Sequence, residues 1–565
     1  FNEWVIVKKN ESAEDVLVSA LGLSPVTARV LANRGITTPE IARAYLEPSL
    51  SDIPNPFDIQ DMEKATNRIL IALNANEKIG IFGDYDADGI TATALVSLFL
   101  KAIGHPPIAS LPDRRGEGYG LTETAVDNLK SQGAKLIITV DNGTRSIKAI
   151  AYAKKIGIDT IVTDHHNMGD ETPCAYAIVN PCVNKSAPHL KDLSGCGVAF
   201  MLVAALRKCL REQQQYCDLQ PNLKQHLDLV ALGTIADMMP LTNINRILVR
   251  HGLQQIVNST KTGMKALLEV SGANKGTLTA HQVAFQLAPR INAAGRVGDP
   301  YKALELLLND DEEKSREIAG HLDNSNRARH NIEAKILKNA AERLENDASF
   351  GKRSSIVLHS KGWNVGVIGI VAAKLVQQYN LPTVIISSDS TPARGSARGI
   401  QGIDLVESLT HCGNHLVKFG GHSAAAGLSI EEDKIASFSE AFDNVCKKYL
   451  PATTAKKLSI DAVVRPQDIT GDLVRELSKC RPFGNGNPEP IFVIANMNIS
   501  ERRIVGSTHL KMHLAAQNIS FDAIGFGMAE ELPADVKQAD FAFTPEFNTW
   551  NGVTTVQLRI KDFKY

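Results

Sequence analysis

A chain of 565 residues exceeds what one ordinary hydrophobic core fills, so three or four domains are expected. Lys and Arg total 61 against 62 Asp and Glu, so no global basicity advertises nucleic acid; that is weak evidence against it, because phosphate contacts respond to the field of a local groove. No apolar run approaches the length of a membrane span, and Phe1-Asn2-Glu3-Trp4 does not begin a signal peptide, so a cytoplasmic protein with no membrane partner is expected. Cysteines 174, 182, 196, 209, 217, 412, 446 and 480 form no CxxC pair and read as reduced structural residues.

In chain order, residues 1–55 read as a small helical cap with helices over 12–21, 25–34 and 39–46, the last starting at Thr38-Pro39. From 56 to 260 the pattern is a βα rhythm. An apolar run, 79–82, leads into Gly83-Asp84-Tyr85-Asp86-Ala87-Asp88-Gly89 and then a helix-like segment, 90–103. A second run, 135–140, leads into Asp141-Asn142-Gly143 and a third, 159–163, into Asp164-His165-His166, while Asp237 closes an apolar helical stretch, 227–236. A parallel open sheet gathers its ligands at the carboxyl ends of its strands, so the three motifs that follow strands should lie along one edge.

The residue types explain the grouping. Asp84, Asp86 and Asp88 repel one another and resist burial, and a divalent cation is the remedy. An acidic turn that binds nothing is the bland alternative, and the other motifs argue against it. Hydrolysis of a phosphodiester needs an activated water and neutralisation of charge on the phosphoryl oxygens and leaving group, which two cations roughly 3.5–4 Å apart provide, with a shared carboxylate as bridge. Imidazole mixed with carboxylates suits Mn²⁺ first and Mg²⁺ second.

Residues 261–353 form a connector. Its stretch 311–347 is charged, lacks Pro, and holds Gly320 as its sole glycine, which predicts a long helix acting as a spacer. A second lobe, 354–454, reads as a strand over 355–359, a glycine-rich turn over 361–369, a helix over 367–378 and a strand over 382–387. It continues through Arg394-Gly395-Ser396-Ala397-Arg398 and Gly420-Gly421-His422 to Gly427. Two arginines and a serine suit a terminal phosphate. Residues 455–565 carry five strand-like runs, 491–499, 510–515, 519–525, 541–547 and 554–560, with Asn551-Gly552 as a hairpin signal. This predicts an OB-like barrel, in which Arg502, Arg503, Lys511, Trp550 and Arg559 are candidates for contact with a single strand, whereas Phe541 and Phe543 alternate like core residues.

Taken in this order, the motifs resemble the DHH phosphoesterases, named for the triplet at Asp164-His165-His166. The likeness runs through 83–91, Asp113-Arg114 with Gly118-Tyr119-Gly120, 139–143, 163–166, 233–240, 288–296, 362–372, 394–399 and 420–427. Within the family it is to bacterial single-strand-specific exonucleases. The resemblance implies an α/β fold class: a parallel-sheet DHH catalytic domain, a long connecting helix, an α/β accessory domain of the DHHA1 type and a C-terminal OB-like β-barrel. It implies a metal-dependent 5′-to-3′ exodeoxyribonuclease that uses two ions and releases 5′-mononucleotides in DNA recombination and repair. Single-stranded DNA with a 5′ end would be its substrate, a helicase and a single-strand-binding protein its partners, and a monomer its form.

Carried onto these positions, the family pattern makes Asp86, Asp88, Asp141, His165 and Asp237 the metal ligands, with Asp141 the bridge. Many smaller members have a histidine where Phe82 stands here, which leaves Asp84 three readings: a ligand, an acceptor behind one, or a turn residue. Asp164 is read as orienting a neighbour. His166 contacts the scissile phosphate, moves a proton, or is a buried hydrogen-bonded histidine. Arg114, Ser396 and Arg398 are implied as the 5′-phosphate pocket, Arg296 and Asn326 as contacts to the following nucleotides, and His422 as facing the metals; Tyr119 either stacks on a base or packs. Two competing readings are another DHH activity on very short RNAs or cyclic dinucleotides, and a non-catalytic replication or repair subunit. The extra barrel and helical link argue against the first, and the retained carboxylates and histidines against the second.

Overall fold

The chain begins with a short strand, β1 (Glu3–Ile6), and three helices, α1 (Glu11–Leu21), α2 (Pro25–Asn33) and α3 (Pro39–Leu46). Each helix starts where a polar side chain satisfies an orphan N–H: Asn10, Ser24 and Thr38, the last two followed by Pro at the first turn. The strand is not foreseen in the sequence. It pairs in parallel with Lys457–Ile460 near the other end of the chain, and Trp4 Nε1 donates to Asp562 Oδ2 at 2.8 Å; a four-residue strand held by so distant a partner leaves no local periodicity to read.

The structure is a computed structural model that describes residues 2–112, 120–183, 187–213, 221–273, 276, 278–449, 457–516, 518–533 and 535–565. The chain divides into two compact units. One comprises Phe1–Thr260, Ala273–Phe285 and Ala455–Tyr565, the other Lys261–Gly272 and Gln286–Thr454.

In the first unit, α4 (Met62–Asn74), β2 (Lys78–Phe82), α5 (Ala87–Ala102), β3 (Ile108–Ser110), α6 (Glu123–Ser131), β4 (Ala134–Val140), α7 (Ile147–Lys155), β5 (Asp159–Thr163) and β6 (Ala177–Val179) succeed one another along the chain. The strands form a parallel sheet in the order β3-β2-β4-β5-β6. The interiors of β2, β4 and β5 are mostly apolar and β-branched and are buried, as expected of a sheet covered on both faces. Register places Phe82 beside Thr139 and Val140 beside Thr163, so the three strands end together and launch their polar motifs from one edge. Three further helices follow β6 along the chain: α8 (Gly195–Glu212), α9 (Leu227–Ala236) and α10 (Asn243–Val257). Helix α9 is apolar around nearly its whole circumference and correspondingly buried.

The C-terminal strands Phe492–Val505, His509–Ala516, Ile519–Gly525, Gln538–Trp550 and Val553–Lys564 close into a barrel, because the first also pairs with the fourth. Phe492, Phe541 and Phe543 are fully buried inside it. The turn joining the last two strands has Asn551 at φ 49° and Gly552 at φ 80°, the pair of positive angles that an Asn-Gly hairpin supplies.

The second unit contains the long helix Glu312–Glu345, capped by the Asp311 side chain on Lys314 N. Its sheet is mixed: Ile356–Ser360 and Thr383–Ser387 run parallel, while Ala393–Arg398, Ala425–Ile430 and Lys418–His422 follow antiparallel. Among the described residues no helix is long and apolar enough to cross a membrane.

Candidate metal centre

Asp86 caps α5: its Oδ1 accepts from Asp88 N at 3.0 Å and Gly89 N at 3.1 Å. The helix therefore starts earlier than the turn chemistry of the acidic run suggests, and Asp88 lies in its first turn. That placement turns the Asp88 carboxylate to the N-terminus of α8, where Oδ2 accepts from Gly195 N at 2.6 Å and Oδ1 from Cys196 N at 3.0 Å. Neither neighbouring glycine has room for a side chain. A Cβ at Gly195 would collide with the Asp141 carboxylate, and one at Gly233 would sit 2.5 Å from Asp88 Oδ1.

Asp141 leaves β4 in the left-handed region, φ 62°, with its N–H donated to Thr163 O at 3.0 Å. Such a conformation is costly for a residue with a side chain and marks a place where the surroundings dictate it. Next along the edge, His165 Nε2 lies 3.1 Å from Asp141 Oδ1, 3.6 Å from Asp237 Oδ2 and 4.0 Å from Asp88 Oδ2. Asp237 caps the end of α9. Three groups bring ligand atoms within 4.8 Å of one another: Asp84, Asp86 and Asp141; Asp88, His165 and Asp237; Asp141, His165 and His166. Asp141 and His165 each belong to two of them.

Electrostatics favour a cation within this cluster. Burial, reinforced by the Asp86 charge, pushes Asp88 up to about 7 despite hydrogen bonds from Cys196, Ser194 and Gly195. Asp237 is pushed up to about 8 by burial and then by Asp88 and Asp86. Asp141 is raised well above the carboxylate range by burial and by the charges of Asp88, Asp86, Asp84 and Asp237. Carboxylate oxygens with one imidazole nitrogen, all crowded and mutually repelling, fit a hard or borderline divalent cation, whose charge would lower all three.

Asp164 differs in kind. Its Oδ1 accepts from His165 N at 2.8 Å, His166 N at 3.2 Å and His166 Nδ1 at 2.7 Å, and its Oδ2 from Thr144 N at 3.0 Å. Burial alone would raise it, but the bonds from His166 and Thr144 outweigh burial and hold it at about 2. Burial opposes a charge on His166, and the bond to Asp164 overrides that and raises the imidazole. Asn180 Nδ2 completes the brace, donating to Thr144 Oγ1 at 3.0 Å and His166 O at 2.9 Å. Sequence reasoning missed Thr144, Asn180 and the amides of Gly195 and Cys196. The last two carried a signal: Ser194-Gly195-Cys196-Gly197 places a capping serine and two glycines before an apolar run.

In the second unit, Arg398 Nη1 donates to Ser396 Oγ at 3.0 Å, and both side chains face Gly369, where a Cβ would lie 2.9 Å from Ser396 Oγ and 3.0 Å from Arg398 Nη2. Gly369 is in the first turn of the Ile368–Tyr379 helix. Burial lowers the Arg398 pKa. Arg296 Nη1 donates to Gly366 O at 2.9 Å, just before that helix. His422 is exposed at the end of its strand. Asn326 is buried on the long helix, its amide oxygen taking Arg329 Nη2 at 2.9 Å. Arg114 and Tyr119 lie outside the described residues.

An open parallel sheet with acidic and histidine motifs on its carboxyl edge is the arrangement of an α/β metal-dependent hydrolase, and the Asp164-His165-His166 triplet, with the match that follows, makes it a DHH phosphoesterase. Residues 78–234 match the model of the DHH family N-terminal domain, 353–448 that of the DHHA1 domain and 460–562 that of the RecJ OB domain. The chain is 35% identical over 566 residues to the single-stranded-DNA-specific exonuclease RecJ of Bacillus subtilis (strain 168), spanning 99% of this chain and 70% of that protein. It is 35% identical over 557 residues to the same-named protein of Escherichia coli (strain K12), spanning 95% of each. The crystal structure of RecJ from Thermus thermophilus in complex with Mn²⁺ aligns with 100% of this chain and 79% of that one, with a TM-score of 0.86 and 28% identity. The chain belongs to the RecJ family.

Proposed function

We propose that the chain is a metal-dependent exonuclease that hydrolyses single-stranded DNA from its 5′ end, releases 5′-mononucleotides and works in DNA recombination and repair. The observation that carries this reading is the set of buried and half-buried carboxylates around His165, with Asp141 shared between two ligand groups. The relatives' names supply the substrate. Two ions, Mn²⁺ or Mg²⁺, would supply an activated water and neutralise charge on the phosphoryl oxygens when bound.

Asp86, Asp88, Asp141, His165 and Asp237 would hold them, with Asp84 close enough to Asp86 and Asp141 to join. The Gly195 and Cys196 amides aim Asp88. Asp164, fixed by Thr144, favours a protonated His166, which suits that ring to donate a proton to a phosphoryl or leaving oxygen. Ser396 and Arg398 are assigned to the terminal phosphate and Arg296 and His422 to the nucleotides near it; Arg114 and Tyr119, outside the described residues, keep only the roles that the family resemblance implies. Asn326, already engaged by Arg329, is assigned to bracing. A helicase, a single-strand-binding protein and a monomeric state belong to the same proposal.

Digestion in Mn²⁺ of a long oligonucleotide labelled at either end, beside a dinucleotide and a cyclic dinucleotide, tests it. The expected result is loss of the long strand from the 5′ end with slower attack on both small substrates. Preferential hydrolysis of either small substrate overturns it.

A further inference from the structure

Asp88 and Asp164 are oriented by amides on their carboxylates, whereas Asp237, at a helix end with its side chain 30% exposed, depends on where its main chain turns. That turn is sharp, with Met238 at φ 57°. A remote residue brackets the segment from 238 to 241: Asn485 Nδ2 donates to Met238 O at 2.7 Å, and Asn485 O accepts from Leu241 N at 2.7 Å. Its neighbours are glycines pressed on the same segment. A Cβ at Gly484 would lie 2.8 Å from Leu241 Cδ1, and one at Gly486 would lie 3.0 Å from Pro240 Cβ.

The loop that presents Asn485 is built rigidly. Buried Asn487 donates to Cys480 O at 3.0 Å and Pro482 O at 2.7 Å, and its Oδ1 accepts from Arg34 Nε at 3.0 Å and Tyr45 OH at 2.8 Å. Arg246 on α10 spans Tyr45 O, Cys480 O and Lys479 O at 2.9, 2.9 and 3.0 Å. So α3, α10 and residues 479–488 form one hydrogen-bonded clip over the segment after Asp237.

We propose that the loop over 481–488 is a positioning device for the metal centre and that Asn485 is the residue that sets the Asp237 carboxylate; this rests on the reading of Asp237 as a ligand. The C-terminal part of the chain thereby contributes to metal binding through main-chain geometry and supplies no ligand of its own. Outer partners that orient a ligand typically govern affinity by 10–100-fold, and Asn485 acts through the chain and one step further out.

Mn²⁺ titration calorimetry on the full chain tests this, with single-strand cleavage measured at low and saturating Mn²⁺. Asn485→Ala is expected to bind the weaker ion about tenfold less tightly, to lose turnover at low Mn²⁺ and to regain it at saturation, with KM for the strand unchanged. Asn485→Asp, equal in shape but without the donor, should behave alike. Arg250→Ala removes donations to Lys479 O at 2.9 Å and Arg481 O at 3.4 Å, upstream of the bracket on residues 238–241 and where Arg246 still holds Lys479 O and Cys480 O, and should keep the wild-type Mn²⁺ affinity. An equal loss in Arg250→Ala overturns the special role of Asn485. Unchanged Mn²⁺ binding in Asn485→Ala beside a loss in Asp237→Ala overturns the positioning role and leaves the ligand reading standing, whereas unchanged binding in both overturns the two together.

Discussion

At the scale of single residues, Asp141 carries the heaviest assignment. It is buried, strained into the left-handed region, and within ligand distance of both Asp84 with Asp86 and of His165. Replacing it with Ala would remove the shared ligand from both groups. Asp141→Ala is expected to lower turnover by ~10³-fold or more, equivalent to about 4 kcal/mol of transition-state stabilisation, while binding of a single strand survives better. Near-normal turnover at saturating Mn²⁺ would sink the two-ion assignment. Asp88 and Asp237 give a second, independent handle. Their folded pKa values, about 7 and about 8, lie above the ordinary carboxylate value. Between that ordinary value and pH 8 the metal-free folded state therefore holds more protons than the unfolded chain, so its stability falls as pH rises through this window. Mn²⁺ held by these carboxylates would take the place of those protons and oppose the trend. Thermal melts with Mn²⁺ and with EDTA should show a gain in Tm larger by at least about 3 °C near pH 8 than near pH 6, and equal gains would refute the linkage.

At the scale of elements, what could be read from the sequence divides cleanly. The helices at 11–21, 25–33 and 312–345 were legible because a cap and an apolar or charged period lie in one short window. Strands β2, β4 and β5 were legible as apolar runs leading into Asp or His motifs, and their common edge followed from the rule for parallel sheets. What stayed hidden are pairings over long separations: β1 with the strand at 457–460, and the α8 amides on Asp88, since no periodicity in one segment reports the end of another. The burial of Asn326 was hidden too, because its partner Arg329 occupies the next turn of a helix whose composition looks solvated throughout. In the second unit, the start of the Ile368–Tyr379 helix lies beside Ser396 and Arg398, donors that would suit the proposed terminal phosphate. Ser396→Ala combined with Arg398→Ala should cut kcat/KM on a 5′-phosphorylated strand by ~10²-fold, about 2.7 kcal/mol, and change use of a 5′-hydroxyl strand far less. Mn²⁺ affinity by calorimetry should not move. Equal losses on both ends would disprove recognition of the terminal phosphate.

At the scale of the whole molecule, a net charge of −1 must be reconciled with a polyanionic substrate. Charge balance over the chain leaves local fields intact, and cations and arginines at a site attract phosphate wherever the rest of the charge lies. Salt dependence is the consequence: each neutralised phosphate releases counterions, so raising salt from about 50 to about 200 mM should weaken single-strand binding in proportion to the number of phosphates contacted. Direction would come from the pocket proposed for a terminal phosphate, because a site that requires an end cannot start inside a strand. A 5′ overhang on a duplex should therefore be trimmed, a 3′ overhang on the same duplex should remain, and a blunt duplex and a circular single strand should both resist. Fluorophores placed at either end would report the order of release. Robust cleavage of the circle, or release that begins at the 3′ end, would overturn the 5′ exonuclease reading even if every residue around His165 proved to hold an ion.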